Sequence, residues 1–145
     1  MPAAGETIIA GRVPGERIAT TISTSDSGTI TTTETAVMTV VAAVVIGRIY
    51  RVSAFYRPNS SVAGDDIAVR IREDSTTGTQ LQGLTYDLTI PTREPAYTME
   101  AEYTADATEN KTLMLTFIRT GGTGNVTNVA ASTAPSYLYV DYIRG

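Results

Sequence analysis

The sequence contains no cysteine and no histidine in its 145 residues. Without cysteine there are no disulfides, zinc-thiolate sites, iron-sulfur clusters or thiol nucleophiles. Without histidine the chain lacks the commonest general base, the commonest transition-metal ligand and every Ser-His nucleophile arrangement. Most hydrolase mechanisms are therefore excluded, and we expect a protein that is not an enzyme and uses no cofactor.

Lysine occurs once and tryptophan never, and the net charge is −4 from fifteen acidic and eleven basic residues. No basic stripe is visible, which disfavours binding to a nucleic-acid backbone. The first residues lack the charged and apolar regions of a signal peptide, so we expect synthesis in a cytoplasm. The longest apolar run, residues 36–46, is too short to span a bilayer, which needs about 20 residues. We expect it to form a buried strand.

Threonine is abundant, with 25 copies, and valine, isoleucine and tyrosine accompany it. β-Branched and aromatic residues favour strands over helices. No segment of helical length repeats apolar residues at a spacing of three and four. About eight to ten strand-like runs, separated by turn signals, predict an all-β fold: a single antiparallel β-sandwich over residues 17–145.

Several runs alternate clearly between apolar and polar residues. In residues 66–73, Ile67, Val69 and Ile71 share one face, which should be the core face. Residues 48–57, 97–104 and 137–143 alternate in the same way. The cluster at residues 25–28 favours a turn, and therefore predicts a hairpin between residues 17–23 and 29–41.

Residues 1–16 resemble an extended arm with short apolar segments at Ile8, Ile9 and Val13. Such segments need a surface on which to pack. A strand at the edge of the chain's own domain is an equally good interpretation.

Two features suggest chemistry but are unspecific. The paired acids Asp65-Asp66 and Glu73-Asp74 could form an acid/base pair or a Ca²⁺ site, yet acids that flank a strand are usually solvated turn residues. The glycine-rich stretch 121–124 lacks the lysine and the helix of a phosphate-binding loop, so we expect a long hairpin loop.

The tyrosines and arginines favour structural roles. Alternating tyrosines are typical of a core edge or a subunit interface, although they could stack on sugars or bases. Residues 113–118 are apolar on both faces except at Thr116, which indicates a central strand or one covered by a neighbouring subunit. We therefore expect subunit contacts at Tyr137, Tyr139, Met114 and Ile118. The arginines at positions 48, 51, 57, 70 and 72 should pair with Glu100 and Glu102 across the sheet.

The amino-acid sequence resembles those of small virion proteins of tailed phages that infect actinobacteria. The resemblance covers nearly the whole chain and is carried by residues 13–19 (VPGERIA), 33–37 (TETAV), 47–52 (GRIYRV), 66–74 (DIAVRIRED), 101–108 (AEYTADAT) and 137–142 (YLYVDY). Members are usually called minor tail, head-fibre or hypothetical proteins, and they bring no catalytic residues with them.

The resemblance implies a jelly-roll-like sandwich, often trimeric, displayed on the surface of the particle. It leads us to expect a capsid decoration protein that contacts the major capsid protein through Ile8, Ile9, Arg12 and Val13. The alternative is a minor tail or receptor-binding module that binds a glycan of the host surface. An enzyme acting through an Asp/Glu pair is a third class, without a persuasive pair to support it.

Overall fold

Alternation of apolar and polar residues builds ten strands in the computed structural model, which describes residues 13–89 and 95–145. Those residues form no helix, and therefore none that could cross a membrane. The strands are β1 (Arg17–Ser23), β2 (Thr35–Val44), β3 (Ile49–Tyr56), β4 (Pro58–Ser60), β5 (Asp65–Glu73), β6 (Gln80–Leu88), β7 (Tyr97–Thr104), β8 (Glu109–Gly121), β9 (Val126–Asn128) and β10 (Ser136–Arg144).

Eight of these strands form two four-stranded antiparallel sheets. The first sheet has the order β1-β10-β3-β7 and the second the order β2-β8-β5-β6, while β4 and β9 pair separately. Apart from the β5–β6 hairpin, the successive strands of these two sheets alternate between them, and the two sheets pack face to face. This is the strand order of a jelly roll, a double-sheet Greek-key fold. The predicted all-β sandwich is confirmed.

The core lies between the sheets and follows the alternation predicted from the sequence. Ile67, Val69 and Ile71 of β5 are fully buried, and so is the inward face of β3, which carries Tyr50, Val52, Ala54 and Tyr56. β8 is a central strand, as its apolar character on both faces indicated. Ten of its thirteen residues are at least partly buried, because β2 and β5 flank it on either side.

The predicted hairpin between residues 17–23 and 29–41 is wrong. β1 pairs with β10 in the first sheet, whereas β2 pairs with β8 in the second. The turn-forming side chains bond to distant backbone instead: Asp26 Oδ1 accepts from Ala130 N–H, and Ser27 Oγ accepts from Asn128 N–H, both at 2.9 Å. Residues 24–34 therefore carry the chain from one sheet to the other.

The expectation of a buried strand over residues 36–46 is only half right. Met38, Val40, Ala42 and Val44 face the core, but Val41 and Ile46 are largely exposed. The reason is that β2 lies at the edge of the second sheet.

Of the predicted N-terminal arm, only residues 13–16 lie within the described part of the chain. They form a turn in which Glu16 N–H donates to Val13 O, and Gly15 N–H donates to Tyr142 O of β10. Ile8, Ile9 and Arg12 lie outside the described residues.

Candidate functional site

The outward side of the first sheet, called here the outer face, combines an aromatic half and a charged half. Register places Ile22 of β1 beside Tyr137 of β10, and Tyr137 beside Phe55 of β3. The Phe55 and Tyr137 ring centroids are 6.3 Å apart, and Ile22 is 55% exposed. Three neighbouring strands thus present one continuous apolar row to solvent.

Tyr139 marks the boundary between the two halves. The Arg17 guanidinium carbon lies 3.6 Å from the centroid of the Tyr139 ring, and Arg17 Nε is 3.0 Å from Asp141 Oδ1. This stacking orients the ring while leaving it half-buried.

The charged half continues across β3 and β7. Arg51 Nη1 is 3.9 Å from Glu100 Oε2, and Arg144 Nη2 is 3.5 Å from Glu102 Oε2. A cavity of about 260 Å³ lies there, lined by Arg51, Glu100, Ala101, Glu102 and Ile143. It is smaller than most ligand pockets. The outer face is therefore suited to surface contact rather than to enclosing a small substrate.

The other charged clusters of the described residues are bonded within the fold. Glu34 accepts from Arg70 Nη1, Arg72 Nε and Thr116 Oγ1, each at 2.6 Å. Burial raises the pKa of the Glu34 carboxyl, but these hydrogen bonds and the two arginine charges outweigh it and hold the pKa below its usual value.

The predicted partners of the arginines are corrected by this cluster. Arg51 does meet Glu100, but Arg70 and Arg72 pair with Glu34, not with Glu100 or Glu102. Arg70 and Arg72 lie on the second sheet and the two glutamates on the first, so the pairing expected from the sequence would have to cross the core. Arg57 Nη2 donates to the Ala134 carbonyl.

Asp65 is fully buried, so the prediction that it is a solvated turn residue is wrong; its neighbour Asp66 is exposed. The Asp65 carboxylate accepts from Ser60 Oγ, from Thr123 N–H at 2.9 Å and from Gly124 N–H at 3.2 Å. Burial raises the pKa of this carboxyl, but the hydrogen bonds outweigh burial and leave the pKa below its ordinary value. The glycine-rich loop does cradle an anion, and that anion is the chain's own side chain.

The loop after β8 is not the long hairpin that the sequence predicted. It leads to β9, which pairs with β4 and not with β8. The loop therefore connects β8 of the second sheet to the separate β4-β9 pair, and it is anchored on Asp65.

The second acidic pair holds the single lysine. Lys111 Nζ lies 2.9 Å from Glu73 Oε2 and 2.8 Å from Asp74 Oδ2, and 5.6 Å from the ring centroid of Tyr103. The hydrogen bond to Asp74 is the main reason that the pKa of Lys111 is raised above its usual value. A lysine held in its charged form neutralises the acids and supplies no base, so this cluster stabilises the end of the sandwich.

The tyrosines divide between the core and the outer face. The Tyr56 and Tyr86 hydroxyls are 2.5 Å apart in the core, and the Tyr86 and Tyr97 ring centroids are 4.2 Å apart at its edge. Tyr137 and Tyr139 point to the outer face and are half-buried.

The predicted contact residues lie in different places. Val13 is exposed on its turn. Met114 and Ile118 lie on the outward side of the second sheet, where Met114 is buried within the protomer and Ile118 is half-buried. Tyr137 and Tyr139 are therefore not joined to Met114 and Ile118 in one surface.

Sequence reasoning missed Ile22 and Phe55, which complete the aromatic half. Alternation in β3 did place Phe55 opposite the face carrying Tyr50. The pairing of Ile22 with Tyr137 depends on the register between β1 and β10, which no local pattern encodes.

The described residues hold no cluster of acidic side chains arranged to bind a metal ion. Fold and site together define a jelly-roll protein whose described residues present the outer face to solvent.

No protein-family model and no curated protein matches the chain. Among solved structures it is similar to the VP2 protein of infectious bursal disease virus in a subviral particle, with 8% identity and a TM-score of 0.48 over 88% of this chain and 37% of that one. VP2 in T=1 particles derived from the same virus gives 11% identity and a TM-score of 0.49, over 89% of this chain and 36% of that one. A CBM4 protein gives 16% identity and a TM-score of 0.36, over 72% of this chain and 60% of that one.

The chain spans less than two thirds of the length of each of these proteins. At identities and TM-scores this low, neither their binding partners nor their assemblies carry over to this chain.

Proposed function

We propose that this chain is a structural protein of a phage virion, a capsid decoration protein that binds the major capsid protein and stabilises or decorates the head. The observation that carries the proposal is the outer face: an exposed apolar row in a jelly roll whose other charged clusters, among the described residues, are bonded within the fold. Such a surface serves association rather than catalysis. The proposal includes no enzymatic activity and no cofactor, and no nucleic-acid or membrane partner.

Two kinds of argument support the virion assignment. The sequence resembles phage virion proteins over nearly its whole length. The jelly roll is a fold of viral capsid and lectin domains, an analogy that raises the expectation of a virion or glycan-binding role without assigning either.

In this proposal the outer face is the contact between three copies. Burying Ile22, Phe55 and Tyr137 between copies would remove apolar surface from water, at about 25 cal/mol per Å². Tyrosine suits such a contact because its ring is buried while its hydroxyl finds a polar partner. Ile8, Ile9, Arg12 and Val13 would contact the major capsid protein, and the protein would lie on the virion surface after synthesis in the host cytoplasm.

The test is a cryo-EM reconstruction of the intact virion. Density for this jelly roll at three-fold or quasi-three-fold positions of the capsid, with residues 1–16 against the shell, is the expected result. Density at the tail tip alone would reject the decoration role.

A matched pair of variants tests the outer face itself. Phe55→Glu places a charge in the apolar row and should reduce the trimer to monomers, as measured by light scattering. Val41→Glu, at an exposed apolar position on β2 of the second sheet, is the control and should keep the trimer.

The alternative is a minor tail or receptor-binding module, and one observation favours it. The partly exposed rings of Phe55 and Tyr137 lie on the same face as Ser53 and Glu100, which are hydrogen bonded at 3.2 Å. Stacking rings beside polar groups is an arrangement that binds sugars. Binding of the purified protein to host cell-wall glycan, lost in Tyr137→Ala and kept in Thr98→Ala, would support this role over decoration.

A further inference from the structure

A ring of three identical copies needs two different surfaces on each copy. A two-fold contact uses the same patch of both subunits, whereas a cyclic contact joins one patch to a different patch of the next subunit. The outer face is one of these two patches in the three-copy contact of the proposed function, on which this inference rests. Each copy must therefore carry a second surface that the outer face of its neighbour covers.

Arg57 provides the charge that this second surface has to match. It follows Phe55 by two positions, and its Nη2 donates to the carbonyl of Ala134, three residues before Tyr137. The guanidinium therefore lies at the aromatic end of the outer face. No carboxylate among the described residues forms an ion pair with this half-buried side chain, and its buried Nε has no hydrogen-bond partner. A cation in that setting favours a partner that brings a carboxylate.

Two carboxylates of the second sheet have the opposite need. Asp66 of β5 and Asp87 of β6 lie directly opposite each other, and both are exposed on the side of the sheet that faces away from the core. Like charges at directly opposed positions destabilise a sheet. No basic side chain of the described residues forms an ion pair with either acid. A cation placed between them would remove their repulsion.

A less polar row runs beside the two acids. Ala68 of β5 lies between Ile118 of β8, which is half-buried, and Thr85 of β6. This row is two residues along the strands from the acids, the same step that separates Phe55 from Arg57. Residues two apart on one strand face lie about 7 Å apart. We call the surface formed by Asp66, Asp87, Ile118 and Thr85 the acidic face.

We infer that the outer face of one copy packs on the acidic face of the next, with Arg57 between Asp66 and Asp87. A guanidinium has five N–H donors, so it can serve both carboxylates while Nη2 keeps its bond to the Ala134 carbonyl. The matching spacing then sets the apolar row of the outer face over Ile118. Three such contacts, each using both faces of every copy, close a ring.

The first experiment changes the acidic face alone. Asp87→Lys places an ammonium opposite Asp66 and takes up that carboxylate, so that Arg57 of the neighbouring copy loses both acceptors. The particle mass measured by light scattering should fall threefold, to that of one copy, while the far-ultraviolet circular dichroism is unchanged. Asp106→Lys makes the same change of charge at an exposed position after β7, and this control should keep the trimer.

The second experiment exchanges the charges across the contact. Arg57→Glu should give monomers by itself, because it sets a third carboxylate beside the two acids. The triple variant Arg57→Glu/Asp66→Lys/Asp87→Lys should recover the mass of three copies. If Arg57 only supported the chain through its bond to Ala134, lysines on the other sheet would not restore assembly.

The possible results separate this contact from the proposed function. A trimer that survives Asp87→Lys, or a natively folded triple variant that stays monomeric, would overturn the pairing of the two faces. Asp87→Lys decides alone where a variant at Arg57 does not fold. If Phe55→Glu abolishes the trimer and Asp87→Lys does not, the outer-face contact stands and the acidic face is not its partner. A wild-type chain that is monomeric would overturn both.

Discussion

At the scale of single residues, the buried Asp65 carboxylate is expected to stabilise the fold. Asp65→Asn weakens its bonds to Ser60, Thr123 and Gly124 and should lower the free energy of unfolding by about 1–3 kcal/mol at pH 7. Urea denaturation measures this difference. Asp66→Asn, at the exposed neighbouring position, is the control and should change little.

The Asp65 carboxylate should also make the free energy of unfolding depend on pH. Because the pKa of Asp65 is lower in the folded protein than its unfolded value of about 3.9, its stabilisation is present above that value and is lost as the pH falls through the folded pKa. The stability difference between the wild type and Asp65→Asn should hold from pH 7 to 5 and shrink below about pH 4. A difference that persists undiminished in strong acid would contradict the assignment.

Two glutamates distinguish part-buried from exposed ion pairs. Glu34→Ala leaves Arg70 and Arg72 without their shared acceptor and should cost about 1–3 kcal/mol of unfolding free energy. Glu100→Ala removes the exposed contact to Arg51 and the hydrogen bond from Ser53 Oγ, and it should cost less than about 1 kcal/mol. Equal losses in a denaturation series would show that the Glu34 cluster is not the stronger of the two.

At the scale of elements, the loop between β8 and β9 depends on its glycines, and Gly122 is the one that combines a positive φ with a clash. Gly122 has a φ of +82°, and a Cβ there would collide with the Asp65 carboxylate. Gly122→Ala should therefore cost about 2–4 kcal/mol, from the left-handed conformation and the clash together. Gly28→Ala is the control, since no atom lies within 4 Å of its added Cβ.

A double variant distinguishes loss of the contact between Gly122 and Asp65 from nonspecific destabilisation of the fold. Because Gly122 and Asp65 act on the same contact, their losses should not add in Asp65→Asn/Gly122→Ala. Fully additive losses in thermal or urea unfolding would mean that the two residues act independently.

Which side chains of a strand share a face was predictable from the sequence wherever one side of the strand meets the core. The alternation in β5 placed Ile67 on the core face, and the alternation in β3, β7 and β10 set Tyr50, Met99 and Leu138 on one of two faces; all four are buried. The partners of strands were not predictable in the same way. Asp26 and Ser27 have the chemistry of a local turn, but they bond backbone around residue 128 that only the folded chain brings near.

The site was predictable in part for the same reason. Alternation placed Tyr137 and Tyr139 on one face of the last strand, where the outer face has them. Their neighbours Ile22 and Phe55 follow from register between strands far apart in the sequence. Asp65 could not be distinguished from Asp66 by composition, because burial of one of two adjacent acids depends on the loop that closes over it.

At the scale of the whole molecule, β10 holds the first sheet together. It lies between β1 and β3, and it is the neighbour to which β1 is hydrogen bonded within that sheet. A chain shortened to residues 1–135 should lose its cooperative unfolding transition in circular dichroism. A synthetic peptide of residues 136–145 should restore that transition by adding the missing strand, whereas a scrambled peptide should not. Cooperative unfolding of the shortened chain alone would contradict this role.

The place of β10 also has a consequence for synthesis. β1 leaves the ribosome more than a hundred residues before its partner β10, so β1 stays without that partner while the intervening strands are made. The outer face needs β1, β10 and β3 side by side, and it therefore does not form before residues 136–144 have left the ribosome. Any partner that binds this face can recognise it only after that point in synthesis.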